Sequence, residues 1–425
     1  MNRFIFSLLS FLFVINYSFS QTWSAVAGAP TALRFDDIYF VNDSIGWAVN
    51  NNGLVYKANV RSKTWNPQLT TRTYNRSVEF LDDTTGFVGT ISSAVYKTSD
   101  AGMSWKRIDS RFPVAVPAVC GMSHRGDTIV MVGSYFASPY VNRSFDRGKT
   151  WTYTDMSSLA SGLVDTWFKS KDTIFVSGNG VDGRGIVLRS ADTGKTWKEV
   201  TTPNTVPTSW GWKFIFPTPS VGYVSLEEVD INDNYLSTKT RILKTTNGGR
   251  SWNLIDTNIG KNIDIQGIGF INANHGWIGG NSQGMYETKD GGSTWKLVNN
   301  YENMDRFFPV NKNTYYFSGT TIFQLNGLIT GIDPPPFIPA HSLEIYPNPA
   351  NLECKAKVTF DKATMATISL RDITGRPMKE IYRGQVDAGE HIYDIELKEV
   401  EAGEYVIYLL TNERFLGKKL IKLKK

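Results

Sequence analysis

The chain has 425 residues and a formal net charge of +5, with 45 Lys and Arg against 40 Asp and Glu. Aromatic residues make up 13% of it, charged residues only 20%, and 37 residues are glycine, a composition typical of all-β proteins with many turns. The small, dispersed charge argues against a nucleic-acid partner. The two cysteines, Cys120 and Cys354, are too few for a disulfide framework or a cysteine metal site.

The first 20 residues have the pattern of a secretory signal peptide. Arg3 gives a positive start, Phe4–Ile15 is apolar, and small residues ending at Ser20 precede the expected cleavage before Gln21. The apolar stretch of 12 residues is shorter than the about 20 that a helix needs to cross a bilayer. We therefore expect residues 1–20 to be removed and the mature chain to lack a transmembrane segment.

An eight-residue pattern then occurs five times: hydroxyl residue, any residue, Asp or Asn, any residue, Gly, any residue, hydroxyl residue, Trp. Its defining positions are Asp100, Gly102 and Trp105; Asp146, Gly148 and Trp151; Asp192, Gly194 and Trp197; Asn247, Gly249 and Trp252; and Asp290, Gly292 and Trp295. A degenerate sixth copy ends at Thr64 and Trp65. From Trp65 on, the tryptophans are 40, 46, 46, 55 and 43 residues apart, the length of a four-stranded propeller blade.

The chemistry of this pattern is that of a tight hairpin turn. The side chain at its third position can accept backbone N–H groups, and the glycine supplies a positive φ. The tryptophan begins the next strand and is expected to pack between neighbouring blades. Five equivalent sites around a ring indicate a scaffold, in preference to catalytic acids or calcium ligands.

These residues resemble the Asp-box, or bacterial neuraminidase repeat, over residues 21–328, and the spacing around them is similar to photosystem-II assembly factor propellers. The resemblance implies that the boxes lie away from the ligand-binding mouth. A second pattern occurs seven times and predicts seven blades. In each copy a bulky apolar residue stands six positions before the start of a strand, and that strand often begins with glycine and an aromatic residue. The bulky residues are Phe40, Phe80, Met122, Trp167, Phe216, Phe270 and Phe308.

The last of the seven repeats lacks its outer strand. Its Thr-Trp pair is found instead at the other end of the mature chain, as Thr22 and Trp23. We therefore expect the N-terminal strand to pair into the last blade and to close the ring, which removes exposed sheet edges. The longest tryptophan spacing is explained by a polar insertion at residues 227–239, which fails the template of a calcium loop.

Residues 329–342 are rich in proline and predict a linker, and residues 343–425 predict a small β-sandwich. The sandwich resembles the type A C-terminal sorting domain of type IX secretion at Tyr346, Pro347, Asn348, Pro349, Gly403, Tyr405, Lys424 and Lys425. The resemblance implies export by the type IX outer-membrane machinery, and then release into the medium or attachment to lipopolysaccharide after cleavage by a sortase. A carbohydrate-binding or adhesin-like sandwich is the alternative.

The sequence therefore predicts an all-β protein with a seven-bladed propeller and a C-terminal sandwich, secreted or placed on the cell surface. Its four histidines lack metal-ligand spacing, and no motif indicates a cofactor or a catalytic residue. We expect a non-catalytic propeller that binds an unknown glycan or protein. Trp210 and Trp212 are candidate ligand contacts, with packing between blades as their alternative. A sialidase-like glycoside hydrolase is the alternative function.

Overall fold

The computed structural model describes residues 21–133, 138–201, 208–228, 240–260, 264–280, 284–326, 342–360, 363–372, 377–411 and 415–424. The signal peptide, most of the insertion and all of the linker except Ser342 lie outside these ranges. The chain divides into two compact units, Met1–Ile332 and Asp333–Lys425. The described residues of both units are built from β-strands, apart from one turn of 3₁₀ helix at Asp109–Arg111.

The first unit contains seven four-stranded antiparallel sheets, and six of them are formed by consecutive strands. After β1 (Thr22–Ala25), the strands of sheets one to three are β2 (Phe35–Phe40), β3 (Ile45–Asn50), β4 (Leu54–Asn59) and β5 (Thr64–Thr70); β6 (Asn75–Phe80), β7 (Gly86–Thr90), β8 (Val95–Thr98) and β9 (Lys106–Arg107); and β10 (Gly121–Arg125), β11 (Thr128–Gly133), β12 (Tyr140–Ser144) and β13 (Thr152–Asp155).

Sheets four to six repeat this arrangement. Their strands are β14 (Ala160–Phe168), β15 (Ile174–Gly180), β16 (Gly185–Ser190) and β17 (Lys198–Glu199); β18 (Ser209–Ile215), β19 (Gly222–Glu228), β20 (Arg241–Thr245) and β21 (Asn253–Asp256); and β22 (Ile265–Phe270), β23 (Gly276–Gly280), β24 (Met285–Thr288) and β25 (Lys296–Asn299). The first strands of sheets one to six contact one another in chain order, so they form the inner wall of a ring.

The seventh sheet joins the two ends of this unit. It contains β26 (Phe307–Asn311), β27 (Thr314–Ser318) and β28 (Ile322–Asn326), with β1 paired to β28 as the outermost strand. Trp23 lies opposite Leu325, and β26 contacts both β22 and β2. The expected closure by the N-terminal strand is confirmed, and the fold is the predicted all-β propeller.

Packing explains the sequence pattern of a bulky residue followed six positions later by glycine. Phe40 lies opposite Gly46 across β2 and β3, and a Cβ at Gly46 would come within 2.4 Å of the Phe40 ring. The aromatic residue after the glycine packs on the next sheet: Trp47 stacks on Phe80 with ring centroids 3.5 Å apart. Most of the seven bulky residues are buried, but Trp167 and Phe308 are only half-buried.

The second unit contains two sheets that share one buried core. The first sheet has the order β29-β30-β33 and the second β32-β31-β34-β35, and the strands are β29 (Ser342–Tyr346), β30 (Glu353–Phe360), β31 (Thr364–Asp372), β32 (Pro377–Val386), β33 (Gly389–Glu396), β34 (Gly403–Thr411) and β35 (Phe415–Lys422). Val358 from the first sheet and Ile368 from the second are fully buried in that core. Cys354 lies in the same core, and neither it nor Cys120 forms a disulfide.

Candidate functional site

In all five Asp-box turns the side chain at the third position accepts the backbone N–H four residues further on. In the box at Asp192, Oδ1 accepts the backbone N–H of Lys195 (3.0 Å) and of Thr196 (2.9 Å), and Oδ2 accepts the Thr196 hydroxyl at 2.6 Å. The Ser190 hydroxyl donates to Asp192 and accepts the Gly194 N–H, both at 2.7 Å. The carboxylate therefore satisfies N–H groups that the turn leaves unpaired, as a structural residue does.

The box glycines have positive φ as expected, for example 81° at Gly194. The residue before each glycine is also left-handed, which the sequence did not reveal: Thr193 has φ 63°. Two successive positive-φ residues make a tight turn suited to the twist of a hairpin. Most of the box tryptophans pack against aromatic rings of their own sheet or of the preceding one. Trp252 of sheet five, for example, meets Phe175 of sheet four edge-on, with ring centroids 6.1 Å apart.

The ring has two different ends. At one end the Asp-box turns lie beside the turns that follow the inner strands, as shown by Ala101 N–H donating to the Thr84 carbonyl (2.9 Å). We call this the box end. At the other end lie the starts of the inner strands and the connections between second and third strands, where Ile91 N–H donates to the Tyr74 carbonyl (2.9 Å). We call this the loop end.

A cluster of charged side chains fills the axis toward the loop end. The Asp36 carboxylate is bonded by the guanidinium groups of Arg34 (Nε–Oδ1 2.9 Å) and Arg76. Arg34 reaches further, to Asp305 and Gln266. These five residues come from or adjoin sheets one, two, six and seven, so the cluster joins inner strands from different parts of the ring.

A second group of ion pairs crosses the axis beside the first. Arg306, next to β26, donates from Nε to Asp37 (2.8 Å) and from both Nη atoms to Asp165 (2.8 and 3.1 Å) on sheet four. Asp165 also accepts the Phe214 N–H at 3.0 Å. Burial alone would raise the pKa of Asp165, but the positive charges of Arg306 and Lys213 hold it below its usual range.

Lys213 is the exceptional member of the cluster. It is 3% exposed, and its Nζ has no hydrogen-bond partner among the described residues. Burial, reinforced by the charge of Arg306, lowers its pKa. Burial likewise raises the pKa of Asp305 to about 7, although Arg34 opposes this shift. In the described part of the axis the basic groups of Arg34, Arg76, Arg306 and Lys213 face the carboxyl groups of Asp36, Asp37, Asp165 and Asp305.

β-bulges place several of these side chains. In β2 the register skips Asp36, in β6 it skips Arg76, and in β22 it skips Gln266. A bulge inserts one unpaired residue and re-aims its side chain. In sheets one, two and six the skipped residue stands four positions before the bulky residue of the repeat, so the same offset delivers a polar group to the axis.

The two tryptophans proposed as ligand contacts lie on β18, beside this cluster. Trp212 is 2% exposed, and the Arg76 guanidinium lies 5.2 Å above its ring. Trp210 is half-buried, with its ring centroid 6.4 Å from that of Trp212. Opposite Trp210 in register is Glu227, and its burial, reinforced by Asp264, raises its pKa to about 7. Trp212 is therefore a buried residue that packs against the axial cluster, and Trp210 is the more accessible of the two rings.

The residues of the sorting-domain resemblance come together around the end of β35. The Asn348 carboxamide accepts the Ile421 N–H (3.0 Å) and donates to the Lys419 carbonyl (2.7 Å). Ala350 then pairs with the same strand, donating its N–H to the Ile421 carbonyl and accepting the Leu423 N–H, both at 2.8 Å. Residues 348–350 therefore cover one edge of the terminal strand.

The other edge of β35 pairs with β34, which begins at Gly403. Gly403 lies opposite Lys422 and Tyr405 opposite Leu420. The Tyr405 hydroxyl donates to the Glu401 carbonyl (3.0 Å), the kind of bond that anchors a tyrosine corner in β-sandwiches.

The other residues of the resemblance flank this region. Tyr346 ends β29 and is 39% exposed. The peptide bonds before Pro347 and Pro349 are both cis. Lys424 is exposed, and Lys425 lies outside the described residues.

The fold, the Asp-box turns and the residues around the terminal strand define a β-propeller followed by a sorting domain. Residues 344–423 match the family model of the secretion system C-terminal sorting domain. Residues 244–338 match that of the photosynthesis system II assembly factor YCF48. Such a sorting domain implies type IX secretion machinery as a partner, and export to the cell surface or medium. A search of curated protein sequences finds no significant match.

Solved structures with a similar fold are propellers. "YCF48 bound to D1 peptide" is 16% identical with a TM-score of 0.50, covering 73% of this chain and 97% of its own. YCF48 from Cyanidioschyzon merolae is 17% identical with a TM-score of 0.51, over 71% and 98%. U3-55K is 8% identical with a TM-score of 0.54, over 72% and 98%. At these identities the likeness concerns the fold.

Among the described residues, no group of three or more His, Cys, Asp or Glu side chains is placed to hold a metal ion. Within the same ranges, no helix is long and apolar enough to cross a bilayer.

Proposed function

We propose that this chain is an exported, non-catalytic propeller that binds a polypeptide at the loop end of its ring and carries its own sorting domain. The observation that carries the binding site is a group of exposed apolar side chains on loop-end connections of sheets one to four. They are Leu33 (72% exposed), Ile91 (40%), Val114 (46%) and Val181 (62%). Exposed apolar surface with a polar rim is typical of protein-binding sites.

The comparisons support a polypeptide in preference to a glycan. One propeller of similar fold was solved as "YCF48 bound to D1 peptide". In this chain the axis itself is filled by paired charges, so a ligand would rest across the loop end and would not thread the ring. Trp210, half-exposed at the edge of the cluster, would supply an aromatic contact.

A matched pair of variants tests the binding face. Leu33→Asp with Val181→Asp changes the loop end, whereas Met103→Asp with Phe145→Asp changes two exposed apolar residues (80% and 48%) in the box turns. The purified protein is applied to a peptide array and to a glycan array. We expect the peptide signal to fall at least tenfold in the loop-end variant only. Equal binding by both variants, or a signal on glycans alone, would refute a polypeptide site at the loop end.

A sialidase-like activity is the second candidate, because arginines do converge on the axis. Arg34, Arg76 and Arg306 are, however, each bonded to aspartates, so a substrate carboxylate would have to displace one. Tyr74 lies beside a different carboxylate: burial, reinforced by the negative charge of Asp36, raises the pKa of its hydroxyl, whereas a sialidase pairs its nucleophilic tyrosine with a glutamate. We expect no release of fluorophore from a fluorogenic sialoside. Turnover that Arg76→Ala abolishes would establish the hydrolase instead.

A further inference from the structure

Three sequence motifs that are far apart in the sorting domain meet on the last strand. Residues 348–350 cover one edge of β35, and β34, which starts at Gly403, covers the other. Of the basic residues at the end of the chain, Lys422 is the last residue of the strand between them and Lys424 lies two positions beyond it. A parallel bridge between Ala350 and Lys422 completes the contact.

The Asn348 side chain acts here as a peptide group of a neighbouring strand. A strand at the edge of a sheet presents unpaired N–H and C=O groups on alternate residues. Along β35 these are the Lys419 carbonyl, both groups of Ile421 and the N–H of Leu423. The carboxamide supplies one acceptor and one donor, and Ala350 supplies the rest. The final residues are held in one extended conformation because all four groups are satisfied.

We propose that Asn348 is a positioning residue of the sorting signal, and that the export machinery recognises a composite surface of residues 346–350 and 419–424. The inference rests on the export role proposed above. It explains why the tetrapeptide at residues 346–349 and the basic residues at the end of the chain occur together in one family pattern. Each of the two segments needs the other to complete the surface that is recognised. Neither motif taken alone would carry the signal.

The closing experiment follows export of the full-length chain in its native host. Five chains are compared: a deletion of residues 343–425, Asn348→Ala, Asn348→Asp, Asn351→Ala and Val358→Ala. Asn351 is an exposed asparagine three positions away whose side chain makes none of the four bonds. Val358 is fully buried in the core, so its truncation lowers stability without changing the edge. Asn348→Asp keeps the acceptor for Ile421 but loses the donor to Lys419.

We expect the deletion and both Asn348 variants to accumulate in the periplasm, with the exported fraction of the Asn348 variants falling about tenfold. Asn351→Ala and Val358→Ala should be exported normally. In the purified protein, Asn348→Ala should speed hydrogen exchange at the Ile421 amide about tenfold, the effect of losing about two modest hydrogen bonds.

The outcomes separate the two proposals. Normal export after the deletion would overturn the export role itself. A trapped deletion with normal export of Asn348→Ala would overturn the composite signal alone. Equal trapping of Val358→Ala would show that loss of stability, and not the edge, causes retention. Export of Asn348→Ala as an aggregating protein would mean that Asn348 only protects a sheet edge.

Discussion

Asparagine replaces aspartate in one of the five boxes and forms the same turn. Asn247 Oδ1 accepts the N–H of Arg250 (3.0 Å) and of Ser251 (3.1 Å), as Asp192 does for its own turn. Its Nδ2 meets the Ser251 hydroxyl at 2.9 Å, so that hydroxyl changes from donor to acceptor. The turn requires a short side chain with an accepting oxygen, and the negative charge is dispensable.

This comparison predicts the effect of two substitutions. Asp192→Asn should leave the melting temperature nearly unchanged, because the amide keeps the two backbone acceptors. Asp192→Ala should lower it by a few degrees, because the N–H groups of Lys195 and Thr196 lose their partner. Ligand binding at the loop end should be unaffected by both. Calorimetry of the two variants checks the stability, and lost binding at an unchanged melting temperature would contradict the scaffold role.

The pKa shifts predict a stability maximum at mildly acidic pH. The pKa values of Asp305 and Glu227 are raised to about 7, mainly by burial. The folded state therefore holds their protons more tightly than the unfolded state, and stability rises as the pH falls from about 8 to about 5. Hydrogen bonds to the hydroxyl and N–H of neighbouring residues lower the pKa of Asp100 and Asp290 to about 2. The stability that these two carboxylates contribute to the folded state is present above a pH of about 4 and is lost as the pH falls toward 2.

Melting curves from pH 8 to pH 2 test both the rise in stability between pH 8 and 5 and its loss at lower pH, which we call the acid limb. Asp305→Asn with Glu227→Gln should flatten the rise between pH 8 and 5 and leave the acid limb in place. Asp100→Asn should weaken only the acid limb. A melting temperature that stays level from pH 8 to 5 in the unmodified protein would be incompatible with protonation of the buried carboxylates.

The two candidate tryptophans should behave differently when truncated. Trp212→Ala should destabilise the protein by about 3–5 kcal/mol, the usual cost of removing a fully buried tryptophan, since Trp212 is 2% exposed beneath Arg76. Trp210→Ala should cost less stability and should weaken the peptide signal by about tenfold or more. Denaturant unfolding and array binding separate the effects. Undiminished binding by a folded Trp210→Ala protein would assign that ring to packing.

At the scale of strands, part of this fold can be predicted from the sequence and part cannot. The Asp-box turns and the pairing of Trp23 with the last sheet follow from local patterns, because a turn needs particular residues at fixed offsets. The axial ion pairs do not. Arg306 and Asp165 are separated by 141 residues, and only closure of the ring brings them together. A charged residue four positions before the bulky residue of an inner strand, as Arg76 is before Phe80, was the available signal.

The closing strand gives a prediction at the scale of elements. Deleting residues 21–24 should expose the edge of β28 and cause aggregation, because an unpaired edge recruits other strands. Trp23→Ala is the matched variant: it loses a side chain that is 7% exposed but keeps the backbone pairing. It should melt earlier, at a cost of about 3–5 kcal/mol, yet stay monomeric. Size-exclusion chromatography of both proteins decides, and a monomeric deletion variant would show that β1 is not needed to protect the edge.

For the whole molecule, the pairing of β1 with β28 determines when the ring can close: only after its last strand has been made. Thr22 meets Asn326, so the ring cannot be completed until almost every residue of the propeller is available for folding. Until then the final sheet stays open, and contacts this distant in sequence form slowly. An exported chain must therefore pass through an interval in which it is susceptible to proteases and to association with its own copies. The sorting domain follows Asn326 in the chain, so its residues are synthesised only after the last strand that the ring needs for closure.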